Sequence, residues 1–430
     1  MIASFGSLRD RTEPVSLYVQ RRPSVMEVRQ NDTGAKFEPP WGCYLGAYID
    51  RDETLERAYR DEVNRIHRLP EDFEAAVGKA HATYFFYMGY GVDLATEWVR
   101  KLGLQNKIVH IALEPNLGLG QVHDDGYLRK LAESLASTNA KVFLRFASEM
   151  NGNWVAYSKS PELYKAKFRL VARVMHEAAP NVAMVWCPYS SPTNTIGDFY
   201  PGDDVVDWVG VNMYSVTYYD QDPRQPAWMV DPCDMLDFVY DSYSRRKPVM
   251  VAEYGATHFS AVENESKTDY AVRCLKSLYQ ALPRRYPRVK AIDYFDANNL
   301  KPQYGGNNDY SLTSDNGVKS AYSRLTAPAY FLSAPADKDS ATPDSPMPLL
   351  DDTALRGKVL VSAWVMCRGE GCKVRYLLDG TPVWSSPNNG DWEAQLDFSM
   401  VPAGVHNLTV EAYAGVRWVG AKSVRVTVAP

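Results

Sequence analysis

Two glutamates occupy matching positions in this chain. The run KVFLRFASEMNGNW places Glu149 just after an apolar stretch and just before a glycine-containing loop, and PVMVAEYGA does the same for Glu253. Paired carboxyls can act on one carbon together, one protonating a leaving oxygen while the other attacks. Glycoside hydrolysis works this way, with the pair ~5–5.5 Å apart for retention and ~6.5–9.5 Å for inversion. The proton donor must keep its proton near neutral pH, so apolar surroundings or the other carboxylate must raise its pKa. The stretch around Glu149 also supplies Arg145, Ser148, Asn151 and Trp154.

The elements that must hold these residues alternate. Short β-branched runs at 44–49, 82–87, 107–113, 141–146, 182–187, 205–212, 249–252 and 289–294 read as strands. Helical patterns lie at 53–67, 93–102, 125–137, 161–179, 232–245, 265–282 and 318–325, with about a turn of helix at 193–200. Pro161, preceded by Ser160 as N-cap, suits a helix start. Several strands are nearly continuous apolar runs, as in parallel strands covered on both faces. Eight such units predict a (β/α)8 TIM barrel. The alternative, a doubly wound sheet, would carry a glycine-rich loop where this chain reads Ala47-Tyr48-Ile49-Asp50-Arg51-Asp52. In the barrel, functional residues sit at the C-terminal strand ends, so Glu149 ends strand four and Glu253 ends strand seven.

The composition shifts at 333–350, a Pro-, Ser- and Asp-rich segment that reads as a linker. The expected organisation is an N-terminal extension packing on the barrel (1–40), a catalytic barrel (41–332), the linker (333–350) and a small all-β immunoglobulin-like sandwich (351–430). Strands at 358–366, 374–378, 392–398, 405–414 and 423–428 are separated by Asp379-Gly380, Asn388-Asn389-Gly390 and Ala403-Gly404. Cys367 and Cys372 flank a hairpin tip where a disulfide is geometrically plausible. No cysteine or histidine cluster has zinc-ligand spacing, so neither metal nor cofactor is expected.

Three segments carry a family resemblance: Arg145-Phe146-Ala147-Ser148-Glu149-Met150-Asn151-Gly152-Asn153-Trp154, then Asp207-Trp208-Val209-Gly210-Val211-Asn212-Met213-Tyr214, then Ala252-Glu253-Tyr254-Gly255. Over about 41–299 the chain resembles glycoside hydrolase family 26, which includes β-mannanases, lichenase-type β-glucanases and β-1,3-xylanases. The resemblance implies a retaining endo-β-glycosidase, on β-mannan first, with Glu149 as acid/base and Glu253 as nucleophile. It also implies that Tyr214 hydrogen-bonds the nucleophile, that Trp154 lines the sugar wall, and that Arg145 keeps Glu253 ionised. Ser148 stands where the family's mannanases usually carry His. Phe295 occupies the region after strand eight where many relatives place a tryptophan platform.

Other strand ends add candidates. Glu114, with Asn212 and Asn151, could bond sugar hydroxyls, and Asp50, Tyr87, Tyr90 and Trp186 could line the cleft; His258 could join them, but an exposed loop position is the expectation for it. Asp203-Asp204 reads as a solvated turn. In the tail, Trp384, Trp392 and Trp418 could be exposed and bind glycan, although a spacer role is the expectation. The chain has 28 Tyr against 14 Phe and 10 Trp. Tyr87, Tyr90, Tyr157, Tyr189, Tyr214, Tyr218, Tyr219 and Tyr254 fall near strand ends, and such amphipathic rings suit sugars. A formal charge of −5, from 47 Lys+Arg and 52 Asp+Glu, argues against nucleic-acid partners. No run approaches the ~18 apolar residues of a membrane span. The start lacks the pattern of a secretory signal, and the expectation is a secreted or cell-surface monomer whose signal has been removed. A sugar-binding protein without catalysis and a structural surface protein are the competing readings.

Overall fold

Eight parallel strands close into a barrel in the computed structural model, which describes residues 13–367, 371–387 and 392–429. They are β1 (Cys43–Arg51), β2 (Thr83–Gly89), β3 (Ile108–Glu114), β4 (Val142–Phe146), β5 (Val182–Trp186), β6 (Trp208–Ser215), β7 (Val249–Ala256) and β8 (Val289–Ala297). β8 pairs back onto β1 and seals the sheet. Helices Thr96–Leu104, Gly126–Thr138, Pro161–Ala178, Pro232–Tyr243, Thr268–Arg285 and Asn316–Thr326 cover the outside. Ser160 caps its helix by accepting the Leu163 N–H at 3.3 Å.

Strand alternation sorts the residues into layers. Leu45, Ala47 and Ile49 face the helices, while Tyr44, Gly46 and Tyr48 face inward. Tyr44, Ile108, Phe143, Ala183, Met250 and Ala291 belong to an apolar floor. Further along the strands Asp293 accepts a hydrogen bond from Thr83 and meets His110 Nδ1 at 2.6 Å. Burial pushes the His110 imidazole below its ordinary pKa, against the pull of Asp293. Gly46 admits this polar layer, because a Cβ there would lie 1.7 Å from both Asp293 Oδ1 and Thr83 Oγ1. Tyr48, Phe85, Phe295, Tyr87 and Tyr214 form the aromatic layer beneath the mouth.

Three segments depart from the sequence reading. Residues 53–67, read as helix, hold one strand and most of a hairpin of Ala58–Arg60 with Ile66–Arg68, and the helix begins only at Pro70. Asp61 Oδ1 bends the chain by accepting the N–H groups of Val63 and Arg65 at 3.0 and 2.7 Å. His67 then locks the hairpin, stacked 4.5 Å from Trp98 with ring nitrogens 2.9 and 3.1 Å from Asp50 and Asp61. Burial disfavours the imidazolium, but the two carboxylates outweigh it and raise the pKa. Strand six begins at Trp208 rather than 205, since Val205 sits in a buried turn.

The third departure is the N-terminal segment. Strand Val15–Arg21 pairs with Ser345–Pro348 on one side and Lys358–Val365 on the other, so it builds the small domain's sheet, and part of the expected linker is strand. Glu393–Asp397 completes that sheet. A second sheet runs Thr353–Leu355, Arg417–Val428, Gly404–Ala414, Cys372–Leu378 and Thr381–Ser385, the last of which carries no strong sequence signal. Leu17, Val361, Val374, Tyr376, Val410 and Val426 share the core between the sheets. Cys367 and Cys372 are disulfide-bonded. The Asn388-Asn389-Gly390 turn lies outside the described residues. The small domain packs on helix Thr268–Arg285, where the Arg285 guanidinium lies 4.0 Å from the Trp364 ring centroid and Arg284 reaches Glu393 at 2.9 Å.

Gly46→Ala therefore evicts the buried Asp293–Thr83 contact, and a loss of about 3 kcal/mol in a denaturant-unfolding measurement is expected. Unchanged stability would contradict this account of the polar layer.

Candidate active site

Glu253 reaches the barrel interior through a register shift. β7 pairs with β6 as Val251↔Val211 and then Glu253↔Asn212, so one residue is inserted and two successive side chains, Ala252 and Glu253, turn inward. The carboxylate is 3% exposed. Its Oε1 accepts from Tyr87 at 2.6 Å and from Arg145, and its Oε2 accepts from Tyr214. Arg145 is fully buried, with Phe85 and Tyr87 rings 5.4 and 5.7 Å from its Cζ.

Glu149 stands on a strained turn. Ala147 and Glu149 have φ of 51° and 60°, a left-handed conformation costing non-glycine residues ~1–3 kcal/mol each. The surrounding loops over-determine it: Ala147 N bonds Leu113 O at 3.0 Å, and Glu149 N bonds Cys187 O at 2.9 Å. Asn151 contributes the rest, donating to Tyr189 O and Pro192 O and accepting the Tyr189 N–H. Its amide is thus committed to loop backbone, which corrects the expectation that Asn151 meets substrate. Gly152 lets the Trp154 indole fold back, for a Cβ there would lie 2.4 Å from that ring.

The two carboxyls are joined through a third side chain. Arg145 Nη1 donates to Asn212 Oδ1 at 3.0 Å, and Asn212 Nδ2 donates to Glu149 Oε1 at 2.8 Å. Trp154 Nε1 donates to Glu149 Oε2 at 2.6 Å. Burial, then the charge of Glu253, pushes the Glu149 carboxyl up to about 7, against the lowering effect of Asn212 and Trp154. One carboxyl is held by a cation and two phenols, while the other keeps its proton to neutrality. Trp154 is 55% exposed, with Tyr189 packed edge-on at 5.2 Å.

Arg145, Asn212, Tyr214 and Trp154 therefore all touch the glutamate pair. Ser148 and Glu114 form their own unit beside it: Ser148 Oγ donates to Glu114 at 2.6 Å, and Tyr157 donates to both Glu114 and the Ser148 carbonyl. Burial raises the Glu114 carboxyl above its ordinary pKa. Phe295 offers no platform. It stacks on Tyr48 at 5.0 Å and meets the Tyr214 ring edge-on, so it supports the aromatic layer from within. Trp186 and Tyr254 point outward, Trp186 packing on Tyr200 and Tyr243 and Tyr254 bonding Ser215. Asp50 holds His67, His258 is buried against Ser314, and Asp203 and Asp204 pair with Arg246 and Arg169. In the small domain Trp392 is buried, Trp384 packs on its core, and Trp418 is exposed.

Sequence reading placed Tyr87 in the cleft as a sugar-contacting ring but did not assign it to Glu253. Tyr87 ends an inward-facing series, Thr83, Phe85, Tyr87, and that parity was the available signal. Among the described residues no group of His, Cys, Asp or Glu could hold a metal ion. No helix among them is long and apolar enough to cross a membrane.

Removing the charge of Glu253 should relax Glu149. In the Glu253→Gln protein the Glu149 carboxyl should titrate below about 7, read by carbon-13 NMR of the glutamate side chains. An unmoved titration would mean that the two groups are not electrostatically coupled.

Residues 119–271 match the profile of Glycosyl hydrolase family 26. Two curated relatives are named β-1,3-xylanase. One, from Vibrio sp, is 26% identical over 178 residues, which are 39% of this chain and 38% of that protein. The other, from Alcaligenes sp, is 26% identical over 36% of this chain and 34% of that protein. The chain thus spans under two fifths of the length of these relatives. Among solved structures, a family 26 β-mannanase from Bacteroides ovatus is similar at 15% identity and a TM-score of 0.48, over 69% of this chain and 91% of that one. The catalytic domain of a Bacillus sp. endo-β-1,4-mannanase is similar at 14% identity and a TM-score of 0.46, over 67% and 87%. The segment that is similar to glycosyl hydrolase family 26 carries Glu149, Asn212 and Glu253, the residues that share one buried network.

Proposed function

We propose that the barrel is a retaining endo-β-glycosidase that cleaves a β-linked polysaccharide by double displacement. The observation that carries this reading is the unequal environment of the two linked glutamates. Glu149, protonated to about pH 7, gives its proton to the glycosidic oxygen as Glu253 attacks the anomeric carbon. Oε1 of Glu253 keeps Arg145 and Tyr87, so Oε2, held by the Tyr214 phenol alone, is the oxygen that forms the ester bond. Glu149, now a carboxylate, then takes a proton from water as that water attacks the same carbon and releases Glu253. Trp154 is the exposed wall beside the bond being cut. The Cys367–Cys372 disulfide supports action outside the cell.

β-Mannan is the first substrate by family resemblance. β-1,3-Xylan is the second reading, supported by the names of both curated relatives and by Ser148, pinned to Glu114, at the position preceding the acid/base. A reducing-end assay on β-mannan, β-1,3-xylan, mixed-linkage glucan and glucuronate-bearing xylan should detect cleavage of at least one. Release from none of the four contradicts the proposal.

On the substrate found, Glu253→Gln should lose about 10³-fold or more in kcat, because nucleophile and acid/base act as a unit. Tyr87→Phe should lose about 10-fold or more, the value of one hydrogen bond to a charged group at about 1.5–3 kcal/mol. Full activity in Glu253→Gln would make the barrel a binder.

A further inference from the structure

The strand-one side of the mouth carries a cation that the proposed chemistry does not use. Arg51 ends β1 and is half-buried. Its guanidinium lies 4.4 Å from the Tyr304 ring centroid and 5.9 Å from that of Tyr48, and Nη1 donates to Asn299 Oδ1 at 3.2 Å. Tyr48 in turn meets Tyr87 edge-on at 5.4 Å, and Tyr87 donates to Glu253. Arg51 is therefore two rings away from the proposed nucleophile.

Neighbouring carboxylates are engaged elsewhere. Asp50 is held by His67 and the Arg68 N–H, Asp52 by Thr54 and Thr313, Glu53 by Lys301, and Glu253 by Arg145. Among the described residues none forms an ion pair with Arg51. One of its five N–H donors is bonded, to Asn299, and its Cζ lies over the Tyr304 ring, which leaves four N–H donors for a planar acceptor. A guanidinium edge matches a carboxylate with two parallel hydrogen bonds.

We propose that Arg51, Tyr304 and Asn299 form a subsite for a sugar bearing a carboxylate, set apart from the cleavage point. The subsite rests on the glycosidase reading for its place in the cleft, but its occupancy does not require turnover. A uronic acid in or on the chain bonds the guanidinium edge, while Tyr304 and Tyr48 hold the guanidinium in place. The substrate class narrows to β-linked polysaccharides that carry uronate.

Affinity electrophoresis of the full chain tests this without catalysis, using the Glu253→Gln protein. Gels contain glucuronoxylan or alginate, each beside its carboxyl-reduced form. The acidic form of at least one polymer should retard the protein at least 10-fold more tightly than its reduced form. Adding Arg51→Gln should abolish that difference, and Arg51→Lys should restore part of it. The preference should also fall with added salt. Equal retardation by acidic and reduced forms, no retardation by either polymer, or an unchanged preference in Arg51→Gln overturns the subsite. Thermal midpoints near that of the parent confirm that the variants are folded. Retardation together with no cleavage of any of the four polysaccharides by the parent chain would remove the hydrolase reading and leave the subsite standing.

Discussion

The ion pair between Arg145 and Glu253 organises the rest of the site. Both groups are buried in the barrel, where stripping water from two charges costs several kcal/mol each unless the geometry returns it. Here the return comes from added partners: Tyr87 and Tyr214 on the carboxylate, and Asn212 on the guanidinium. Asn212 has one amide, so bonding Arg145 through its oxygen turns its NH2 toward Glu149. A single cation thereby fixes one carboxylate directly and orients the other through one side chain. The charge it holds on Glu253 is also one of the two causes that raise Glu149.

Backbone irregularities make that network possible, and each sits at one of its members. The extra residue in β7 places Glu253 beside Asn212, and the left-handed φ values at Ala147 and Glu149 bring the second carboxyl over the mouth. Gly46 and Gly152 leave room where any Cβ would collide, one for Asp293 and Thr83 below the site and one for the Trp154 indole above it. The barrel frame is rigid enough to bear such strain, because the strands are paired on both sides and packed beneath six long helices.

Much of this was legible from the chain. Strand–helix alternation gave the barrel, and an acidic residue between an apolar run and a glycine loop gave both glutamates, because burial and strand ends leave local composition signals. Arg145 followed from its place at the end of strand four, and Asn212 from the segment that carries the family resemblance. What escaped reading depended on contacts distant in sequence. Strand Val15–Arg21 pairs with residues more than three hundred positions away, and nothing local marks it as belonging to the small domain. Residues 53–67 have helical composition, but Asp61 and a buried, doubly bonded His67 impose a hairpin. Phe295 and Asn151 were assigned to sugar contact by position alone, yet ring stacking and loop bonding consume their surfaces. The β7 bulge is invisible to a period-two pattern, which would have pointed Glu253 toward the helices.

Division of labour between two linked carboxyls is the central claim, and stereochemistry reports on it directly. Proton NMR of the first product released, recorded before mutarotation, distinguishes one displacement from two. The account predicts the β-anomer, formed by attack of Glu253 followed by water on the opposite face. The α-anomer as first product would show a single displacement by water and contradict the assignment of Glu253 as the attacking group.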